Sequence, residues 1–149
     1  MEKEPMLISA CFLGLDCKYS GGNNALGDKI IAKLMEKYRL VPVCPESYGG
    51  LPSPRLPSER VGERVLAKNG ADVTEQYKKG AAAALRLAEL FGCKIALMKE
   101  RSPSCGHDSI YDGSFTGRVV PGDGVAAELL KQNGVTVCGE SDVVRLINA

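Results

Sequence analysis

The side chains with the widest chemistry in this chain are its six cysteines. Cys11 and Cys44 each close a short apolar run, Cys105 follows another at a loop's distance, and Cys17 stands in the glycine-rich stretch after Cys11. Thiols at special positions bind metals or react. Structural zinc tends to use closely spaced Cys pairs, and none is present. Three thiolates on Cys11, Cys44 and Cys105 can instead hold a cubane iron–sulfur cluster, leaving its fourth iron open as a Lewis acid. Two plainer readings stand beside it: half-buried free thiols, or a structural ion completed by Cys17 or His107. Cys17 is a fourth ligand, a neighbouring thiol or an oxidation partner of Cys11. Cys93 and Cys138 have no comparable loop around them and read as structural.

Polar residues cluster beside these cysteines. Glu46 follows Cys44 by two positions and can activate water, provided partial burial moves its pKa toward neutrality. Ser102 and Ser104 flank Cys105 and can donate to cluster sulfurs or to a substrate carbonyl. Gly106 allows close backbone approach. Ser9 precedes Cys11 and is a further candidate. His107, the only histidine, is either polar surface or a member of the same site. A single histidine argues against a Ser-His-Asp triad and a His-based zinc hydrolase. Arg55 and Arg60 can bind an anion or merely cover surface. Lys18, Tyr19, Tyr48, Tyr111 and Asp112 are candidates for the pocket wall. Neither a P-loop nor a GxGxxG after the first apolar run appears, which argues against a nucleotide site.

These residues need elements to position them. The patterning predicts strands over Met6–Ala10, Arg39–Cys44, Lys94–Met98 and Val135–Cys138. Helices are predicted over Ala25–Tyr38 with Asn24 as cap, Glu75–Phe91 after Thr74, Gly124–Gln132 capped by Asp123, and Asp142–Ile147 capped by Ser141. Pro42 is a misfit in its strand unless it sits at the edge or at the last rung. Pro45–Pro57 is too rich in breakers for regular structure, and Val61–Asp72 reads as a hairpin turning at Asn69–Gly70. Strands alternating with helices imply one small three-layer α/β/α domain over residues 1–149, with a mostly parallel, Rossmann-like sheet. In such a sheet the carboxyl ends of the strands share one edge, where ligands bind. Parallel topology therefore gathers Cys11, Cys44 and Cys105 around one crevice.

The whole-chain numbers agree. A length of 149 residues suits one domain, and 44% hydrophobic with 25% charged residues excludes a disordered chain. The net charge of +1 and the absence of Trp argue against a nucleic-acid sleeve or stacking platform. No apolar run approaches a membrane span, and the Met1–Leu15 start lacks the flanks of a signal peptide. A cytoplasmic protein, monomer or homodimer, with reduced thiols is expected.

Several longer motifs then carry a resemblance. They are Ser9–Gly14 with Cys17–Tyr19, Val43–Glu46 with Gly49–Pro52 and Pro54–Arg55, Lys99–Gly106, and Tyr111–Gly113 with Pro121–Val125. The chain resembles, nearly end to end, the domain of unknown function 523 family, which includes the bacterial 2-thiouracil desulfidases. It departs from the common pattern at Lys18, Ser20, Ser47 and Tyr48. The resemblance implies a [4Fe–4S] cluster held by Cys11, Cys44 and Cys105, with the fourth iron binding the sulfur of 2-thiouracil. It implies assistance from Glu46 and Ser102, and hydrolysis to uracil and hydrogen sulfide without net redox change. The alternatives are a cysteine-based sulfur carrier or redox sensor, and a structural metal-binding module without catalysis.

Overall fold

A computed structural model describes residues 2–149 of the chain. The strands are β1 (Glu4–Ser9), β2 (Tyr38–Val43), β3 (Ser58–Val61), β4 (Arg64–Ala67), β5 (Ile95–Leu97), β6 (Ser109–Tyr111), β7 (Val119–Pro121) and β8 (Thr136–Cys138). The helices are α1 (Asp28–Lys37), α2 (Pro45–Tyr48), α3 (Thr74–Phe91), α4 (Val125–Gln132) and α5 (Val143–Asn148), with 3-10 turns at Ala10–Leu13 and Glu140–Asp142. Among the described residues no helix is long and apolar enough to cross a membrane.

Four strands form a parallel sheet in the order β2-β1-β5-β8. Met6, Leu7 and Ile8 are all fully buried, as a central parallel strand covered on both faces requires. Alternation along the strands divides the core in two. Leu7, Ala96 and Val137 pack with Ala84 and Ala88 of α3 and with Ala127 and Leu130 of α4. Met6, Ile8 and Leu97 pack on the other face with Leu34 of α1 and Val143 and Leu146 of α5. This is the three-layer arrangement. Pro42 lies in β2, the sheet's edge, where its missing N–H interrupts no ladder on the open side.

Two antiparallel hairpins, β3–β4 and β6–β7, lie outside the sheet. The first turns at Gly62–Glu63, between Val61 and Arg64, and not at Asn69–Gly70. Asn69–Gly70 makes the following turn, where Gly70 N–H bonds Ala67 and Leu66 bridges Asp72. Helix α1 starts at Asp28 and not at Ala25. Asn24 and Leu26 donate their N–H groups to the carbonyls of Cys11 and Phe12, and this pairing keeps 24–26 out of the helix. Thr74 is already helical, while Asp123 and Ser141 turn their side chains to Lys131 and Glu100 rather than to helix ends.

The Pro45–Pro57 stretch, predicted to lack regular structure, contains α2. That turn lies directly on α3. A Cβ on Gly80 would come 1.8 Å from the Pro45 carbonyl oxygen, and one on Gly49 would come 2.0 Å from that of Gln76. On a free helix Gly→Ala gains about 1 kcal/mol. Here the clash is with backbone, so Gly80→Ala is expected to destabilise by about 1–3 kcal/mol, as overpacking does. Thermal denaturation checks this, and an unchanged or raised Tm would contradict it.

Candidate active site

The strand ends converge on a cavity of about 590 Å³. Cys11 reaches it from the 3-10 turn after β1, Cys44 from the junction of β2 with α2, and Cys105 from the loop after β5. The first and third flank β1 and β5, where the strand order reverses, the usual ligand position of an open α/β sheet. Cys17 lines the same cavity. All six cysteines are free thiols.

Burial dominates the thiols. It pushes Cys11 up, against a hydrogen bond from Asn24 that pulls it down. It drives Cys105, only 7% exposed, far above the ordinary thiol range, opposed by Ser9. Cys17 is pushed up to about 12 by burial and by its neighbour Cys44. Each of Cys11 and Cys105 feels the charge of Cys44, as thiols sharing one pocket do.

Glu46 sits on α2 in the cavity wall, held at both oxygens. Tyr77 O–H donates to Oε1 at 2.8 Å, and the Arg55 guanidinium pairs with Oε2. Arg55 is itself fixed by the carbonyls of Pro52 (2.9 Å) and Cys17 (3.1 Å). Its side chain is 8% exposed and that of Glu46 15%, so the pair is largely withdrawn from water. Burial and the neighbouring carboxylate push the Tyr77 phenol up, so it remains a donor.

Ser102 also lines the cavity. Its Oγ accepts from the N–H groups of Ser104 (3.1 Å) and Cys105 (3.0 Å), shaping the loop that presents Cys105. Gly106 closes this loop: a Cβ there would fall 2.8 Å from Arg101 N and 2.9 Å from Ser102 O.

Other candidates part company here. Ser9, Lys18, Tyr19 and Tyr111 line the cavity; Ser104, His107, Tyr48 and Asp112 do not. Ser104 is fully buried, and its Oγ has no hydrogen-bond partner among the described residues. Its carbonyl accepts from Ala126 and Ala127 at the start of α4. His107 turns to Asp108, at 3.2 Å, and toward Asp142. Arg60 pairs with Glu128 of α4 at 2.6 Å. Cys93 and Cys138 are packed in the two halves of the core. From the sequence Asn24 reads as a helix cap, Ser47 as a departure from the family pattern and Arg55 as an anion binder or surface cover, and Tyr77 is not a site candidate at all; all four meet at the cavity or its cysteines.

Among the described residues, no three His, Cys, Asp or Glu side chains close around one point as ligands of a single metal ion would. A cubane asks for something else, because each thiolate binds a different iron and the ligands stand further apart. Three thiols on separate segments, facing one cavity, two of them accepting hydrogen bonds from Asn24 and Ser47, fit that demand.

The model of the 2-thiouracil desulfurase family matches residues 6–142. The chain belongs to this family. Among curated proteins, YbbK of Bacillus subtilis (strain 168) is 38% identical over 148 residues, covering 93% of this chain and 97% of YbbK. Among solved structures, the [4Fe–4S]-dependent thiouracil desulfidase TudS superposes with a TM-score of 0.89 at 41% identity, over 97% of this chain and 95% of TudS. Family likeness thus extends through the sheet, both hairpins and the cavity.

Proposed function

We propose that the protein is a [4Fe–4S]-dependent desulfidase that converts a thiolated pyrimidine such as 2-thiouracil, with water, into uracil and hydrogen sulfide. The observation that carries this reading is the meeting of Cys11, Cys44 and Cys105 in one cavity, with the held carboxylate of Glu46 beside them. The likeness to TudS, a [4Fe–4S]-dependent thiouracil desulfidase, supports it.

Cys11, Cys44 and Cys105 would hold the cluster. When bound, it supplies a soft Lewis acid for a thiocarbonyl sulfur, since one iron lacks a protein ligand. The chain's own side chains handle the water. Glu46 accepts a proton from a water molecule in the cavity, so that the oxygen can attack the thiocarbonyl carbon. Arg55 and Tyr77 fix the orientation of the carboxylate in advance. Ser102 uses its oxygen on the two loop N–H groups, so it meets the substrate as a donor, suited to charge developing on the ring. One C–O bond forms, the C–S bond breaks, and sulfur departs as hydrogen sulfide with no net electron transfer.

The test is anaerobic reconstitution with iron and sulfide, followed by measurement of uracil and sulfide released from 2-thiouracil. Stoichiometric release over many turnovers is expected. A loaded protein that releases neither would be a sulfur carrier or redox sensor instead. Tyr77→Phe, which deletes one of the two bonds to Glu46, is expected to lower kcat about tenfold, the worth of one hydrogen bond to a charged group. KM should change little, because Tyr77 orients the base rather than the substrate. A loss confined to KM would reassign Tyr77 to substrate binding.

A further inference from the structure

The sulfurs of the three cysteines do not face the cavity unsupported. The Asn24 side-chain amide donates to Cys11 Sγ at 3.4 Å, and the Ser47 hydroxyl donates to Cys44 Sγ at 3.3 Å. Neither side chain makes another hydrogen bond among the described residues. Ser47 lies in α2, where a serine commonly bonds back to its own helix. Ser9 Oγ accepts the Lys99 N–H at 3.0 Å, which leaves its proton for a sulfur. Two sulfurs are in reach, the Met98 thioether at 3.7 Å and the Cys105 thiol. An ionised thiolate is much the stronger acceptor. Cys17, the fourth thiol of the cavity, receives no side-chain hydroxyl or side-chain amide donor among the described residues.

The donors come from three separate places: the segment before α1, the helical turn α2, and the end of β1. Asn24 and Ser47 are each matched to one thiol, Cys11 and Cys44, while the hydrogen bond Ser9 makes is to Met98, and Cys17 is left out. Loop packing alone gives no reason for that selection.

We infer that Asn24 and Ser47 are positioning residues for the ligand sulfurs of Cys11 and Cys44, each donating one hydrogen bond to one thiolate and drawing electron density away from it. The inference rests on the cluster reading above. Hydrogen bonds to ligand sulfurs are one of the levers that set cluster potential. A reduced cluster carries one more negative charge, and its sulfurs accept more strongly. Donors therefore favour the reduced form and raise the potential. The same withdrawal leaves an iron without a protein ligand poorer in electrons and more receptive to a soft sulfur.

The experiment is an anaerobic redox titration of the reconstituted full-length protein, with a low-potential chemical reductant and mediators, followed by absorption and electron paramagnetic resonance. Iron and acid-labile sulfide are measured on the same samples. Asn24→Leu and Ser47→Ala are each expected to lower the ratio of reduced to oxidised cluster at a fixed potential about three- to tenfold. A tenfold change is about 59 mV for one electron. Ser47→Thr, which restores a hydroxyl, should return the potential toward the parent value. Ser47 is only half-buried, so its variants keep the test open if Asn24→Leu folds poorly. Unchanged potentials in fully loaded Asn24→Leu and Ser47→Ala would overturn the inference and leave the desulfidase reading standing. Failure of the parent protein to take up iron and sulfide would overturn both.

Discussion

Glu46→Gln is expected to reduce sulfide release from 2-thiouracil by about 10²–10⁴-fold, the usual weight of a positioned general base. Iron and acid-labile sulfide should stay at the parent content. Glutamine has the same reach as glutamate and can still accept the Tyr77 O–H through its amide oxygen. Arg55 retains the carbonyls of Pro52 and Cys17 as acceptors, so the wall of the cavity keeps its shape. The substitution removes the charge and the basic lone pair, and it also leaves the buried Arg55 guanidinium without its carboxylate partner, so a lower Tm is expected alongside the kinetic loss. Steady-state kinetics with cluster analysis separates the effects. Turnover within a few-fold of the parent would remove Glu46 from the chemistry. Loss of cluster with loss of turnover would instead assign it to assembly of the site.

The difference between what could be read from the sequence and what could not follows from the range of the interactions. The parallel sheet was readable because Met6–Ile8, Val41–Val43, Ile95–Leu97 and Val135–Cys138 are short apolar runs separated by helical patterns. Parallel pairing then fixes which end of each run faces the crevice, which brings Cys11 and Cys44 to one edge; Cys105 is brought there by the loop after β5, which Ser102 and Gly106 shape. Glu46 followed by proximity to Cys44. The partners of Glu46 were hidden. Arg55 lies nine residues further on and returns only because its backbone N–H pairs with the Tyr19 carbonyl, folding the proline-rich segment back over the cavity. Tyr77 lies on α3 and reaches Glu46 because glycines at 49 and 80 let α2 and α3 touch.

Loops misled in a different way. Spacing put Ser104 and His107 beside Cys105, but a loop has no fixed period, so adjacency does not set direction. Ser104 is drawn under α4, where its carbonyl receives Ala126 and Ala127. His107 is followed by Asp108, whose φ of 68° turns the chain away from the cavity. Asn24 has the residue type of a helix cap, yet Gly27, with φ 95°, precedes the helix and releases Asn24 to the Cys11 sulfur. A short polar residue between a cysteine loop and a helix is thus ambiguous between cap and thiol donor until the helix start is known.

Cys105→Ala is expected to abolish retention of iron and acid-labile sulfide, whereas Cys17→Ala should retain both near the parent content. Both thiols line the cavity, so position in it alone does not separate them. What separates them is anchorage. Cys105 is held between the Ser102 oxygen, which accepts its N–H, and the core half formed by Leu7, Val43 and Met98. Cys17 lies in an irregular loop, half-exposed, with its carbonyl taken by Arg55. A cluster needs ligands whose geometry is set before it arrives, and a third anchored thiolate is what distinguishes a retained cluster from one lost to chelators. The alanine at 105 deletes only a sulfur from an otherwise apolar contact, so the fold should survive with a melting transition a few degrees lower. Folded Cys105→Ala that keeps its iron, or Cys17→Ala that loses it, would transfer the third ligand to Cys17.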